Sequence, residues 1–189
     1  MYIKELLKSE KTVFSVQDVA TMFGLNGQYL RTVLTRLATK GDIAQITRGL
    51  YSVSGKQVNF LELANKLKKP SYVSLETVLT QAGVVFQDYG QTIFSVSDNS
   101  IEKNVSGKNF QYLKMKDSVL YNPTGIRNNG NYMAASLERA VCDRLYFSPG
   151  YYFDNIEKAD PEKLLQLAEI YENKRLKKEV SRLVDKLKK

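Results

Sequence analysis

The 189-residue chain contains no histidine and a single cysteine. Without an imidazole there is no His-based general acid or base, no Ser-His or Cys-His nucleophile, and no metal site that needs a histidine ligand. Cys142 alone can form neither an internal disulfide nor a thiolate cluster, so a reducing, cytoplasmic setting is expected. Beside Val141 in a helical stretch, it reads as a small buried hydrophobe. No apolar run is long enough to cross a bilayer, and the first residues lack a hydrophobic signal region, so no membrane partner is expected. Phosphate-loop chemistry is missing as well. Gly125 and Gly130 bracket four residues, but Asn131-Tyr132 follow where Lys and Ser or Thr are required. GIRNNGN therefore reads as a polar turn leading into a strand. Glu138 and Asp143 are five residues apart on a helix and do not share a face as a catalytic dyad would. The expectation is no enzyme, with no catalytic residue, no cofactor and no metal.

The composition is that of an ordinary globular protein, 43% hydrophobic and 25% charged, long enough for one or two small domains. Its net charge of +8 is uneven. Residues 1–69 hold 11 Lys or Arg against 5 Asp or Glu, residues 70–157 hold 7 against 9, and residues 158–189 hold 10 against 6. The basic excess sits at the N-terminal end and on the tail, and it favours attraction to nucleic acid at the former.

The N-terminal end carries a legible pattern. Residues 1–9 predict a short helix with Tyr2, Ile3, Leu6 and Leu7 inward. Ser15 followed by Asp18 is a capping box, with Phe14 and Val19 placed as a hydrophobic staple. Val16, Val19, Ala20 and Phe23 form one helical stripe that Gly24 ends. Asn26 is a good N-cap for a second helix, where Leu30, Val33, Leu34, Leu37 and Ala38 repeat the stripe until Gly41. Turning by about 100° per residue, Gln28, Thr32, Thr35 and Thr39 lie opposite the buried stripe, with Tyr29 and Arg36 on one flank and Arg31 on the other. That outward face has no carboxylate, as a helix facing phosphates requires. Ala44, Ile46, Tyr51 and Val53 then alternate with polar residues, predicting a hairpin with Arg48 at its tip. Two helices and a basic-tipped hairpin are the outline of a winged helix-turn-helix, a reader of double-stranded DNA. The expected DNA-contacting residues are Gln28, Tyr29, Arg31, Thr32, Thr35, Arg36, Lys40 and Arg48.

Ser54-Gly55-Lys56 predicts a boundary, giving a winged domain over 1–56 and a second domain over 57–189. A helix follows, with Phe60, Leu61, Ala64 and Leu67 on one side, ended by Pro70. Beyond it come a strand at Tyr72-Val73 and a helix capped by Ser74, with Leu75, Val78, Leu79 and Ala82 inward. Strands are predicted at Thr92–Val96, Phe110–Met115 and Gly130–Ala134. Ser136 caps a helix bearing Leu137, Ala140, Val141 and Leu145. After Asp160-Pro161, one or two amphipathic helices carry Leu164, Leu167, Ala168, Tyr171, Leu176, Val180, Leu183 and Leu187. The fold class is thus α+β: an N-terminal winged helix-turn-helix, then a mixed α+β domain with a helical C-terminus. Tyr146, Tyr151 and Tyr152 cluster in a nearly neutral region, which weighs for core or protein interface over stacking on RNA.

Three stretches in order resemble the AbiEi-type antitoxin family: Arg48-Gly-Leu-Tyr51, PSYVSLETVLTQAGVV from Pro70 to Val85, and SLERAVCDRLY from Ser136 to Tyr146. In the last, Glu138, Ala140, Asp143 and Tyr146 match the family pattern, whereas Leu137 replaces its proline and Arg139 its lysine. The resemblance implies the antitoxin of a type IV toxin–antitoxin system, linked to phage defence. Its winged domain would repress its own promoter, and its C-terminal domain would counter a cognate nucleotidyltransferase toxin. The residues themselves support DNA binding. They leave open a protein-interaction module or a stand-alone transcriptional regulator with no antitoxin role. They reveal neither the operator nor the oligomeric state.

Overall fold

The computed structural model describes residues 2–187, and the chain divides into two compact units, 1–67 and 68–189. The first begins with α1 (Tyr2–Lys8), β1 (Val13–Ser15), α2 (Val16–Phe23) and α3 (Gly27–Thr39). It continues through β2 (Ile43–Thr47), β3 (Leu50–Val53) and α4 (Phe60–Leu67). Leu6, Phe14, Val19, Leu30, Val33, Leu34, Leu37, Ile43 and Val53 form its core. Two expected inward residues face solvent instead: Leu7 is 51% exposed, and Ala38 is exposed at the end of α3. The hairpin gains a third strand, β1, which pairs antiparallel with β3 to give the order β1-β3-β2. Three residues are too few for an alternation to show.

The division falls after Leu67, eleven residues beyond the expected boundary at Lys56. Helix α4 belongs to the first unit because Glu62, fully buried, accepts both the backbone N–H and the hydroxyl of Thr12 at 2.8 Å. Its buried residues run from Glu62 to Asn65, so Leu63 occupies the place expected of Phe60, Leu61 and Leu67.

The second unit contains β4 (Ser71–Val73), α5 (Glu76–Gln81), β5 (Thr92–Ser97), β6 (Ile101–Val105) and β7 (Lys108–Lys114). It goes on with α6 (Asp117–Leu120), β8 (Ile126–Asn128), β9 (Met133–Ala135), α7 (Leu137–Phe147), α8 (Pro161–Glu169) and α9 (Lys174–Leu187). Its sheet has the order β6-β7-β5-β4-β9-β8, with β5/β7 and β4/β9 parallel and the other pairs antiparallel. The two edge strands, β6 and β8, are the ones that hydrophobic patterning missed. β6 reads IEKNV and is largely solvent-facing, and β8 is three residues of what looked like a polar turn. A helix follows Asp160-Pro161 as expected, and Asp160 caps it with Pro161 at its first position.

Helix α7 departs most from its sequence reading. Glu138, Arg139, Ala140, Val141, Cys142, Asp143 and Leu145 are all buried, so it is covered nearly all round. Ser136 caps it, accepting the Arg139 backbone N–H at 3.2 Å. Its polar side chains must therefore find partners inside. Glu138 accepts the Asp160 N–H at the head of α8. The Arg139 guanidinium donates to the Thr124 and Val119 carbonyls at 2.8 Å each, to the Tyr72 hydroxyl at 3.2 Å, and to Asp143 at 3.4 Å. Asp143 also accepts the hydroxyls of Ser74 at 2.7 Å, Tyr171 at 2.5 Å and Tyr72 at 3.2 Å. Ser74 is thus not the cap of α5; Leu75 takes that position at φ 55°. Burial lifts the Asp143 carboxyl above its ordinary range, resisted first by Arg139 and then by the three hydroxyls. A lysine, with one nitrogen, could not reach both carbonyls and Asp143 with this fork geometry. Gly125, at φ 76°, passes so close that an added Cβ would lie 2.9 Å from the Arg139 Cβ and from Leu167. That close approach accounts for a glycine that a phosphate loop does not. Cys142 is buried as expected, and burial pushes its thiol up, out of the reactive range.

Asp143→Ala leaves Arg139 charged and uncompensated in the core, and we expect it to cost about 3–5 kcal/mol in urea unfolding. Replacing both partners together, Arg139→Met with Asp143→Leu, should cost less than Asp143→Ala alone. A larger loss in the double variant would show that the network contributes more than mutual neutralisation.

Candidate nucleic-acid interface

The frame beneath the candidate face is built at the start of α2. The Ser15 side chain accepts the Asp18 N–H at 3.0 Å, and the Asp18 carboxylate accepts the Ser15 N–H at 2.8 Å, completing the capping box. The same carboxylate pairs with Lys11 at 2.6 Å and Lys66 at 2.7 Å. Burial is the largest influence on Asp18 and would raise its pKa. The bonds from Lys11, Lys66 and Ser15 outweigh it and hold the carboxyl well below the ordinary 3.8. One side chain thus fastens α2 to the segment before β1 and to α4. Gly24, at φ 64°, closes α2 and turns the chain toward α3.

Helix α3 buries Leu30, Val33, Leu34 and Leu37 and leaves Gln28, Tyr29, Arg31, Thr32, Thr35, Arg36, Thr39 and Lys40 exposed. The structure therefore gathers six of the eight expected contact residues on one helix, with a seventh, Lys40, at its C-cap. The eighth, Arg48, is exposed at the turn between β2 and β3, where Gly49 takes φ 77°. The Gly49 carbonyl accepts the Val16 N–H at 3.1 Å, which ties that turn to the start of α2. Arg31, Arg36, Lys40 and Arg48 have no ion-pair partner among the described residues. Arg36 lies in the last turn of α3, where the helix dipole favours a cation.

Three details were not readable from spacing. Asn26 holds the N-cap position of α3 but makes no side-chain cap bond, and Gly27 follows at φ 52°. The Thr32 hydroxyl donates to the Gln28 carbonyl at 3.0 Å, so toward a ligand it offers lone pairs and a methyl rather than a proton. Tyr29, though 59% exposed, bonds through its phenol to Tyr2, whose ring is also tilted against Phe23 with centroids 4.7 Å apart. That bond is the main cause of the raised pKa of Tyr2. Helical periodicity over residues 1–9 pointed Tyr2 inward, but only the folded chain brings its hydroxyl to a side chain of the α3 flank.

Residues 1–54 match the family described as transcriptional regulator, AbiEi antitoxin. The matched segment spans α1 to β3 and includes the exposed α3 face and Arg48, and the resemblance read from the sequence holds there. The second unit lies outside the match. In fold, the chain is similar to the RV2827C protein from Mycobacterium tuberculosis, with a TM-score of 0.55 at 10% identity, over 98% of this chain and 75% of that one. No curated protein matches it. Among the described residues, no helix is long and apolar enough to cross a membrane.

Asp18 titrates lower in the folded chain than in the unfolded one. Its contribution to stability is therefore full above about pH 4 and fades as pH falls below its unfolded value. Asp18→Ala should cost about 2 kcal/mol at neutral pH. In urea unfolding followed by circular dichroism, that difference from the parent should shrink below pH 4. A difference that stays constant to pH 2 would mean the ion pairs contribute nothing.

Proposed function

We propose that this protein is a cytoplasmic, DNA-binding repressor of its own promoter and the antitoxin of a type IV, phage-defence toxin–antitoxin system. In this reading α3 enters the major groove. Gln28, Thr32 and Thr35 meet base edges, Arg31, Arg36 and Lys40 flank the phosphates, and Tyr29 lies at the edge of the contact. Arg48 on the hairpin turn reaches a neighbouring phosphate or the minor groove. The observation that carries the reading is the α3 surface itself: amides, hydroxyls and unpaired cations, with no carboxylate over thirteen residues.

The antitoxin half rests on the family match over residues 1–54 and on the resemblance of Pro70–Val85 and Ser136–Tyr146 to the same family. Its partner would be a nucleotidyltransferase toxin encoded by an adjacent gene. Asp143, matched in the second of those stretches, accepts the hydroxyls of Tyr72 and Ser74, carried by the first. The two stretches thus support one buried core rather than a surface.

Titration against the chain's own upstream DNA should give tight binding whose log–log salt slope is near −4 to −5, for about five phosphate contacts. Arg31→Ala with Arg36→Ala should weaken binding and flatten the slope by about two units. Binding that ignores salt, or that is unchanged in this variant, would refute the DNA reading. Co-expression with the adjacent-gene product tests the antitoxin half separately: relief of its toxicity is expected, and DNA binding without relief would identify a stand-alone regulator.

A further inference from the structure

The tyrosine cluster of the sequence divides in the folded chain. Tyr146 packs against Phe147 and Tyr171, with ring centroids 5.5 and 5.6 Å away. Tyr151 lies on Phe153 at 5.1 Å and shares a 2.9 Å hydroxyl bond with Tyr89, and the Arg144 guanidinium sits 5.0 Å over its ring. Tyr152 is left 78% exposed. It lines a groove of about 370 Å³ formed by residues 150–153 and one face of α9, a size suited to a small ligand.

The α9 wall is a single helical stripe, Glu179, Arg182, Leu183 and Lys186, at i, i+3, i+4 and i+7. Leu183 joins the buried Phe153 as apolar floor. Arg182 and Lys186 are exposed, four residues apart, and have no ion-pair partner among the described residues. Glu179 accepts the Gly150 N–H at 3.3 Å through one oxygen, leaving the other available. An aromatic ring, a carboxylate acceptor and two unneutralised cations therefore line one cleft.

We propose that this groove binds a nucleoside phosphate. The base stacks on Tyr152, above Phe153 and Leu183. Glu179 accepts protons from ribose hydroxyls or an exocyclic amine, and Arg182 and Lys186 hold the phosphate. A purely apolar partner would bury both cations unpaired, at high cost. An acidic peptide would bring its carboxylates against Glu179. A nucleotide satisfies all three groups at once. It can arrive free or as the end of a single RNA strand, and this site shares no residue with the α3 face.

Calorimetric titration of the full chain with ATP, and separately with a short oligo-adenylate RNA, tests the assignment. Saturable binding should weaken about tenfold in Tyr152→Ala and at least as much in Arg182→Ala with Lys186→Ala. All three residues are exposed, so the fold is retained. Lys114→Ala with Arg127→Ala removes the same charge from exposed positions elsewhere and should leave binding unchanged. Binding of ATP as well as RNA identifies a free-nucleotide site, and binding of RNA alone identifies a strand-end site. The proposal is overturned if neither probe binds, if either groove variant binds like the parent, or if the control loses as much as the groove variants.

Discussion

The Asp18 carboxylate is the joint on which the N-terminal unit depends. It receives the Ser15 backbone N–H at the helix start, Lys11 from the segment before β1 and Lys66 from α4. Any one of these bonds could be replaced by water at small cost. Their convergence on one half-buried group is different, because the orientation of α2, the approach of β1 and the docking of α4 then become a single condition. The apolar stripe of α3 packs within the core that α2 helps to enclose. The direction in which Gln28, Thr35 and Arg36 look out is therefore fixed by a carboxylate that is not itself on the candidate interface.

The second unit repeats that logic with a fully buried acid. Asp143 and Arg139 join β4, α7, the loop before β8 and the turn between α8 and α9 through hydroxyls and backbone carbonyls. A buried ion pair is weak evidence for stability in itself. Here each partner is also saturated by neutral donors or acceptors, which removes most of the reason such pairs destabilise. What it provides is uniqueness: only one registry of α7 against β4 lets Ser74 and Tyr72 reach the same carboxylate.

Legibility followed where local chemistry decides conformation. The Ser15–Asp18 box, the Gly24 stop, the α3 stripe from Leu30 to Leu37 and the Ser136 cap are set within a turn of helix, and each appears where its residues indicated. Elements decided at a distance were not legible. β1 exists because β3 lies beside it, and α4 joins the first unit through the Glu62–Thr12 bonds. Ser74 looked like a helix cap, and a serine two residues before a helix is a reasonable cap until a buried aspartate nearby needs its proton. The outward set of α3 was legible from periodicity alone, whereas the commitment of the Thr32 hydroxyl to Gln28 and of the Tyr29 phenol to Tyr2 required coordinates.

The charge of the chain also means something different once its partners are known. The basic excess over residues 1–69 counts Lys11 and Lys66 equally with Arg31 and Arg48. The first two share the Asp18 carboxylate, which offsets one of their two charges within a few ångströms, whereas the cations of α3 and the hairpin turn have no internal counter-ion. In the second unit Arg139 and Arg144 are neutralised by Asp143 and Glu76, while Arg182 and Lys186 are not. Attraction of a polyanion depends on uncancelled charge at the surface rather than on net charge. The folded chain has therefore sorted its cations into two populations. One assembles the units, and the other faces solvent and includes the cations of α3 with its neighbouring turn and the Arg182–Lys186 pair of α9.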